Sequence, residues 1–327
     1  MLGLIKNAWQ NSHSPSMPST SASPVRIKFW GTRGSIAVPG SATLRYGGNT
    51  TCVEVRMDDE IIVLDAGSGI RPLGIELAKE FGTKPIKLSL LVTHAHWDHI
   101  QGLPFFRPPY DPKNQIGIFG FDETGATFPQ ILAEPMKAPF FPIAMRELSA
   151  KIEIKKLSEM TFSVGKVQVR AAFVNHPGGC AGYRLNTNAG SVAFIPDHEP
   201  YEFFLHSPRA NHLSPEQVKE TAANEQAGLI EFLHGSDILI LDAQYTDDEY
   251  QRHIGWGHSS VSSAVALALD AEVHKLVLFH HDPNHDDQMV DKMLDYARSI
   301  VTKSGKSLEI DAAREGAEIL LEAKVLV

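Results

Sequence analysis

Three histidines and one aspartate lie within residues 94–99, at positions His94, His96, Asp98 and His99. Neutral imidazole and carboxylate groups are ligands that divalent zinc, iron and manganese accept in proteins. The segment directly follows an apolar, β-rich run, and a loop that leaves a strand end can turn alternate side chains toward two adjacent ions. We therefore expect His94 and His96 to bind one ion, and Asp98 and His99 to bind a second. A run of surface histidines is the alternative interpretation.

Two metal ions need more ligands than this segment supplies, so further histidines or acids must come from elsewhere in the chain. Three candidates each follow a short β-rich run: His176, Asp197 and His280. An aspartate can bridge two cations through its two carboxylate oxygens, which gives Asp197 a role that no histidine fills. Taken singly, such residues are more often structural. Their shared position after a predicted strand, together with residues 94–99, indicates a dinuclear site.

Short β-rich runs and amphipathic segments alternate along the chain from Val25 onward. Runs rich in β-branched and aromatic residues predict strands at residues 26–30, 51–56, 61–65, 88–93, 117–119, 152–154, 166–173, 191–195, 238–241 and 275–279. Apolar residues at helical spacing predict helices at residues 69–81, 215–233, 259–269 and 288–304. Ser214 followed by Pro215 is typical of a helix start. This order of elements predicts an α/β protein with two sheets and helices outside them.

The chain divides into a short leader and one large domain. Residues 12–24 are rich in serine and proline, and we interpret residues 1–24 as a disordered leader. Residues 25–327 are predicted to form a single domain. Proline and aromatic residues are frequent between about residues 104 and 145, and we interpret this region as an insertion that roofs a cleft. Its Phe140 and Phe141 are alternatively the core of a homodimer interface.

The composition limits the classes of partner and compartment. The 327 residues carry a formal net charge of −9, which opposes a broad attraction to long nucleic acid or to an anionic membrane. The longest apolar runs have strand length, well below the roughly 20 residues that span a bilayer. Two lone cysteines, Cys52 and Cys180, form no disulfide framework and favour a reducing, cytoplasmic location. A single bridge between them stays open at this point.

The H-x-H-x-D-H pattern at residues 94–99, followed in order by His176, Asp197 and His280, resembles the metallo-β-lactamase superfamily. The resemblance covers nearly all of the chain from Val25 onward. It implies an αββα four-layer sandwich with a two-metal site at one edge of the sheets. It also implies hydrolysis by a metal-bound hydroxide, without deciding which bond is cut. The ligand types do not identify the metal; we expect two divalent ions, zinc first, with manganese or iron as alternatives.

One pair of segments resembles ribonuclease Z, a member of this superfamily. Residues 241–245 are similar to its acidic strand end, and residues 257–260 are similar to its histidine-serine loop. The resemblance implies that Asp242 steadies His258, and that His258 protonates the leaving oxygen. An aspartate stands here where that family usually has a glutamate. A helix-capping loop with an incidental His258 is the alternative interpretation.

Glycine-rich segments at residues 31–35, 47–50 and 64–69 are also similar to the ribonuclease Z and phosphodiesterase branch. Such turns let backbone N–H groups approach a phosphate closely. We predict substrate contacts from four residues of these and the later loops: Arg33, Asn49, Ser259 and His281. A solvated turn is the alternative for His281. Asp65 is a candidate to orient a ligating imidazole, or else an ordinary turn aspartate before a glycine.

The leading hypothesis is a metal-dependent phosphodiesterase for a small substrate, specifically a 3′,5′-cyclic nucleotide, with Asp98, Asp242 and His258 as catalytic residues. A ribonuclease Z-like RNA endonuclease is the first alternative. It predicts an electropositive stripe beside the metals, supplied by Arg26, Lys28, Arg33 and Arg45. We find no Gly-rich basic arm like that of tRNA-processing enzymes in the sequence. A thioesterase or lactamase-like hydrolase is the second alternative, although lactamases commonly have Cys or His where Asp197 stands.

Overall fold

Two seven-stranded β-sheets stack face to face in the computed structural model, which describes residues 23–122, 125–206, 210 and 213–322. The predicted leader over residues 1–24 lies outside these residues except for Ser23 and Pro24. Within the described part of the chain, no helix combines the length and the hydropathy needed to cross a bilayer.

The first sheet has the strand order β14-β1-β2-β3-β4-β5-β6. Its strands are β1 (Val25–Gly31), β2 (Cys52–Met57), β3 (Glu60–Leu64), β4 (Lys87–Leu91), β5 (Gln115–Gly120), β6 (Lys151–Lys156) and β14 (Glu318–Leu321). Strands β3 to β6 run parallel, and Leu64 of β3 pairs with Leu91 of β4. The carboxyl ends of these two strands therefore lie side by side, which brings the segment after each of them to one edge.

The second sheet has the strand order β13-β12-β11-β10-β9-β8-β7. Its strands are β7 (Thr161–Val164), β8 (Val167–Val174), β9 (Cys180–Asn186), β10 (Ser191–Ile195), β11 (Ile238–Asp242), β12 (Lys275–Phe279) and β13 (Glu309–Ala312). Strands β10 to β13 are parallel, while β9 is antiparallel to both β8 and β10. Strand β8 consequently points the same way as β10, and the carboxyl ends of β8, β10, β11 and β12 share one edge.

Helices cover the outer faces of both sheets. They are α1 (Ile70–Phe81), α2 (Trp97–Ile100), α3 (Phe128–Ala133), α4 (Pro215–Leu233), α5 (Asp247–Tyr250), α6 (Val261–Asp270) and α7 (Asp287–Ser304). Helix α4 begins as predicted, because the Ser214 hydroxyl accepts from the Gln217 N–H and Pro215 occupies the first turn, where its missing N–H leaves no bond unmade.

Three apolar layers hold the sheets and helices together. The layer between the sheets contains Phe194 and Phe279, with ring centroids 5.6 Å apart. A second layer packs α1 against the first sheet, and a third packs α4, α6 and α7 against the second sheet. The predicted αββα four-layer sandwich is confirmed.

The region between residues 104 and 145 differs from the predicted insertion. Strand β5 lies inside the first sheet between β4 and β6, so this part is an integral strand. Phe106, Phe128 and Leu132 are buried in the layer beneath α1, because the parallel crossovers on either side of β5 must cover the outer face of the sheet. Phe140 is 84% exposed, and Phe141 contacts Phe105 edge to face.

Cys52 and Cys180 are both buried free thiols, so the bridge left open by the sequence is absent from the described structure. Burial raises the pKa of each thiol well above its ordinary value. Both cysteines therefore act as small apolar core residues rather than as nucleophiles.

Gly102 provides a test of how tightly the edge of the first sheet is packed. Its N–H donates to Ala66 O at 2.8 Å, and a Cβ at this position would overlap Gly67 O and lie 2.8 Å from Ile70 Cγ2. We expect Gly102→Ala to lower the free energy of unfolding by about 1–3 kcal/mol through overpacking. Urea denaturation measures the change.

Gly228 is the matched control, because it lies within α4 and a Cβ there meets nothing within 4 Å. Gly228→Ala should raise the free energy of unfolding by up to about 1 kcal/mol, since alanine favours the helix. Equal effects of the two substitutions would contradict the packing described for Gly102.

Candidate metal centre and active site

The predicted metal ligands follow strand ends that meet at one edge of the sandwich. His94 lies after β4, His176 after β8, Asp197 after β10 and His280 directly after β12. Helix α2 turns back at the same edge and carries Asp98 and His99 near its start. Because carboxyl ends of parallel strands open onto a common crevice, these side chains converge although they are far apart in sequence.

The seven predicted ligands form two clusters. One ligand atom from each member of the first cluster lies within 4.8 Å of the others, and its members are His94, His96, His176 and Asp197. The second cluster meets the same criterion and consists of Asp98, His99 and His280. His96 and His176 belong to the same cluster although 80 residues separate them in the chain. His96 Nδ1 and His176 Nε2 are 3.0 Å apart.

Asp197 lies between the two clusters. Its Oδ2 is 3.5 Å from His94 Nε2 and 3.5 Å from His176 Nε2. Its Oδ1 is 3.1 Å from His99 Nε2 and 3.4 Å from His280 Nε2. Each carboxylate oxygen therefore faces a different cluster, which is the arrangement of a bridging ligand.

Buried nitrogen and oxygen atoms that have no hydrogen-bond partner indicate whether these side chains fit metal ions. His94 Nε2, His99 Nε2 and Asp197 Oδ1 are buried and have no such partner. An unsatisfied buried polar atom costs about 1–3 kcal/mol, so atoms of this kind are rarely left unpaired. Burial also lowers the pKa of His94 well below its ordinary value and that of His176 to about 3, which keeps both rings neutral, as ligation requires. The donor set fits divalent metal ions.

Acceptors behind three of the ligand rings fix their orientation. His99 Nδ1 donates to Asp65 Oδ2 at 2.8 Å, and His176 Nδ1 donates to Gly257 O at 2.8 Å. His280 Nδ1 donates to Gln244 Oε1 at 2.9 Å. A proton held on Nδ1 leaves the Nε2 lone pair facing the cluster. The structure thus places Asp65 where the predicted orienting role requires it.

Gln244 is a positioning residue that the sequence did not single out. It lies two residues beyond β11 in a segment already noticed for Asp242, and its side chain is buried between His280 and Asp282. A polar residue near a strand end was the only local signal, and many such residues have no role at a site.

The glycine-rich segment at residues 31–35 contacts the second cluster. Ser35 N donates to Asp98 Oδ2 at 2.8 Å, and a Cβ at Gly34 would overlap the His280 ring. Ser35 itself has a φ of 63°. The close approach that we expected for a phosphate is thus used, in the described structure, to hold a carboxylate and an imidazole of the metal centre.

His258 lies beside the second cluster and is paired with Asp242. His258 Nδ1 donates to Asp242 Oδ2 at 2.9 Å, and its ring stacks on that of His280 with centroids 4.8 Å apart. Burial acts to lower the pKa of His258, but the carboxylates of Asp242, Asp197 and Asp98 together outweigh it and raise this pKa to about 9. The ring therefore carries a proton near the ligands. The Ser260 hydroxyl caps α6, so this loop does cap a helix, but His258 is paired with Asp242 rather than incidental.

Arg33 and His281, two of the predicted substrate contacts, are buried and hydrogen-bonded to the protein backbone. Arg33 is 0% exposed, and its guanidinium donates to three backbone carbonyl oxygens, those of Gly47, Asp282 and His285. His281 is 2% exposed, and its Nε2 donates to a backbone carbonyl 2.9 Å away. The prediction that these residues contact substrate does not fit this placement, because both side chains are enclosed and join loops of the protein.

The other two predicted substrate residues also have protein partners. The Asn49 amide donates to Glu315 at 3.0 Å and accepts from Ser68. The Ser259 hydroxyl donates to His198 O at 2.6 Å and is buried. Substrate contact by Asn49 and Ser259 stays a prediction.

Glu199 organises the loop that carries His258, and the sequence did not reveal it. Its buried carboxylate accepts from the Gly255 N–H at 2.6 Å and the Gly257 N–H at 3.3 Å, and from the Tyr250 hydroxyl at 3.1 Å. Gly257 O in turn accepts from the metal ligand His176. The proton-bearing loop and the first cluster are therefore connected through one carboxylate.

Comparison with known proteins agrees with this geometry. The family model described as Beta-lactamase superfamily domain matches residues 61–281. A ribonuclease Z of Haloarcula marismortui is 24% identical over 302 residues, covering 83% of this chain and 91% of that protein.

Two solved structures share the fold. Unliganded yeast PDE1 aligns with a TM-score of 0.63 at 15% identity, covering 91% of this chain and 99% of that one. Human tRNase Z, short form, aligns with a TM-score of 0.59 at 17% identity, covering 90% of this chain and 99% of that one. The resemblance noted in the sequence is confirmed: the chain belongs to the metallo-β-lactamase superfamily, as a metallo-hydrolase of its ribonuclease Z and phosphodiesterase branch.

Proposed function

We propose that this protein is a metal-dependent phosphodiesterase that hydrolyses a small phosphodiester, specifically a 3′,5′-cyclic nucleotide. The observation that carries the proposal is Asp197, whose two oxygens face two ligand clusters while the His258–Asp242 pair lies alongside. Bound divalent ions supply Lewis acidity toward a phosphoryl oxygen and water of lowered pKa. We expect two ions, with zinc first and manganese or iron as alternatives.

His258 provides the proton that the departing oxygen needs. As an oxygen from water bonds to phosphorus, the bond to the departing oxygen would break and His258 Nε2–H would give its proton to that oxygen, leaving a neutral imidazole. Asp242 is fully buried and accepts from His258 Nδ1, so it fixes both the ring orientation and the tautomer. The backbone N–H groups of His198, Gln244 and Ser259 also donate to Asp242, which holds the carboxylate itself in place.

Charge pairing at the surface favours a small substrate over RNA. Three of the four basic residues expected to form an electropositive stripe are paired with acids: Arg26 and Lys28 share Glu318, and Arg45 pairs with Asp291. Arg33 is buried beneath the loops. With a net charge of −9, the chain offers little general attraction for a polyanion. The ribonuclease Z relatives keep RNA cleavage as the second candidate. A homodimer and a cytoplasmic location stay predictions.

Substitution of His258 and of Asp98 separates proton donation from metal binding. We expect His258→Ala to lower kcat by about 10²- to 10⁴-fold, because the leaving oxygen loses its proton donor. Bound metal should be unchanged in this variant. Asp98→Ala removes a ligand, so metal content and turnover should fall together. Steady-state kinetics and elemental analysis of the purified variants measure both quantities.

His274→Ala is the control for these variants, because this histidine is 60% exposed and pairs with Asp237 outside the site. It should keep both turnover and metal. Loss of metal from His258→Ala would contradict the assignment of this residue as proton donor.

Gln244→Ala tests whether the Gln244 side chain fixes the orientation of the His280 ring. Without the Gln244 acceptor, the His280 ring loses the hydrogen bond that fixes its tautomer, and we expect metal affinity to fall by about 10- to 100-fold. Competition with a chromophoric chelator measures the affinity directly. Gln226→Ala, a glutamine of α4 outside the site, should leave it unchanged, and equal affinities in all three proteins would contradict the role of Gln244.

A substrate panel distinguishes the candidate functions. The protein loaded with Zn²⁺ or Mn²⁺ is assayed on 3′,5′-cyclic AMP, a precursor tRNA, a chromogenic lactam and an acyl thioester. We expect turnover of the cyclic nucleotide. Cleavage of the tRNA alone would favour the RNA endonuclease instead, and turnover of the lactam or thioester alone would overturn phosphodiesterase activity.

A further inference from the structure

The metal centre is open to solvent on one side. Six of its seven predicted ligands are buried, and His96 is the exposed one. Gly178 lies beside His96, since a Cβ there would be 3.8 Å from His96 Nε2, and a Cβ at Gly179 would meet open space. A substrate therefore approaches the ligands past His96, Gly178 and Gly179, because the two glycines have no side chains to block the way.

Two exposed tryptophans adjoin the residues at this opening. Trp97 directly follows His96 in the chain, begins α2 and is 58% exposed. Trp256 is 60% exposed and directly precedes Gly257, whose carbonyl oxygen accepts from the metal ligand His176. His176 and His96 are themselves 3.0 Å apart at their ring nitrogens. Each tryptophan thus directly adjoins, in the chain, a residue of this part of the site.

Trp256 is held in position although its indole is exposed. The N–H groups of the glycines on both sides, Gly255 and Gly257, donate to the buried carboxylate of Glu199. Its ring contacts that of His253 edge to face at 4.8 Å, and His253 stacks on Tyr245 at 4.4 Å. A large apolar ring that is both fixed and exposed is typical of a binding surface rather than of a solvated loop.

We propose that Trp97 and Trp256 form an aromatic subsite at the mouth of the metal centre that stacks a planar heteroaromatic base attached to the scissile phosphodiester. This inference rests on the proposed phosphodiesterase function and adds how the base of its nucleotide substrate is held. Stacking suits an indole because every base has a π-face, so affinity is gained without base-specific hydrogen bonds. Stacking on the two exposed indoles also explains how a chain with a net charge of −9 retains a nucleotide without a basic surface groove.

Binding of two phosphomonoesters tests the subsite without requiring turnover. Protein loaded with Zn²⁺ is titrated with AMP and with ribose 5-phosphate, which lacks the base, and affinity is read from equilibrium dialysis and from quenching of tryptophan fluorescence. We expect AMP to bind more tightly than ribose 5-phosphate. Trp97→Ala and Trp256→Ala should each weaken AMP binding by about 5- to 150-fold and leave ribose 5-phosphate unchanged.

Conservative variants and a distant aromatic residue serve as controls. Trp97→Phe and Trp256→Phe should restore most of the AMP affinity, because phenylalanine keeps an aromatic face. Tyr296→Ala, an exposed aromatic side chain on α7 that contacts Asp247, should bind as the unsubstituted protein does.

Equal affinity of AMP and ribose 5-phosphate would overturn the subsite. So would a loss of AMP affinity in only one of the two Trp→Ala variants. Phosphodiester turnover that persists in such a case would leave the proposed function intact. Conversely, base-dependent binding without any phosphodiester turnover would support the subsite and count against the proposed function.

Discussion

Asp197 imposes the main constraint on this molecule, because its carboxylate is 1% exposed and its two oxygens face opposite clusters of ligands. A buried carboxylate is stable only where positive charge and donors surround it. Four imidazoles surround it, and the Nε2 atoms of His94 and His99 have no hydrogen-bond partner. Divalent cations held by the two clusters would satisfy the Asp197 oxygens and the unpaired nitrogens together. Ligands from several strand ends are therefore required, since one loop cannot enclose a carboxylate from two sides.

Residues with strained backbone and buried hydrogen-bond acceptors hold the predicted ligands in their orientations. Ser35, Asp65 and His280 all have positive φ values, at 63°, 61° and 59°. Residues held in this region cost on the order of 1–3 kcal/mol each and persist only where the surrounding structure determines them. Each one contacts the centre: Asp65 holds the His99 ring, the Ser35 N–H holds Asp98, and His280 is itself a ligand. Three of the five described non-glycine residues with positive φ thus contact the predicted ligands or are among them.

The loop at residues 251–258 connects the metal centre, the proton donor and the opening. Glu199 holds its glycine N–H groups, Gly257 O orients His176, and His258 at its end is paired with Asp242. The same loop presents Trp256 to solvent. The proposed proton donation, the proposed base stacking and the orientation of His176 therefore all involve this segment, and a displacement of that segment would impair all three.

Local patterns were sufficient to single out the residues of the two clusters and to predict most elements, because an apolar strand, a capping Ser214 with Pro215, and H-x-H-x-D-H each act over a few residues. Helix α4 and strand β12 have the predicted bounds. The strands β7, β9, β13 and β14 were missed; β14 forms by pairing with the distant β1 and β9 by pairing with β8 and β10, so local composition alone was too weak a signal. Tertiary structure alone decided that Arg33 donates to carbonyls about 250 residues away while Gln244 and Glu199 hold the site. Residue type determines which bonds a side chain can make, but only long-range packing determines which partner lies within reach of it.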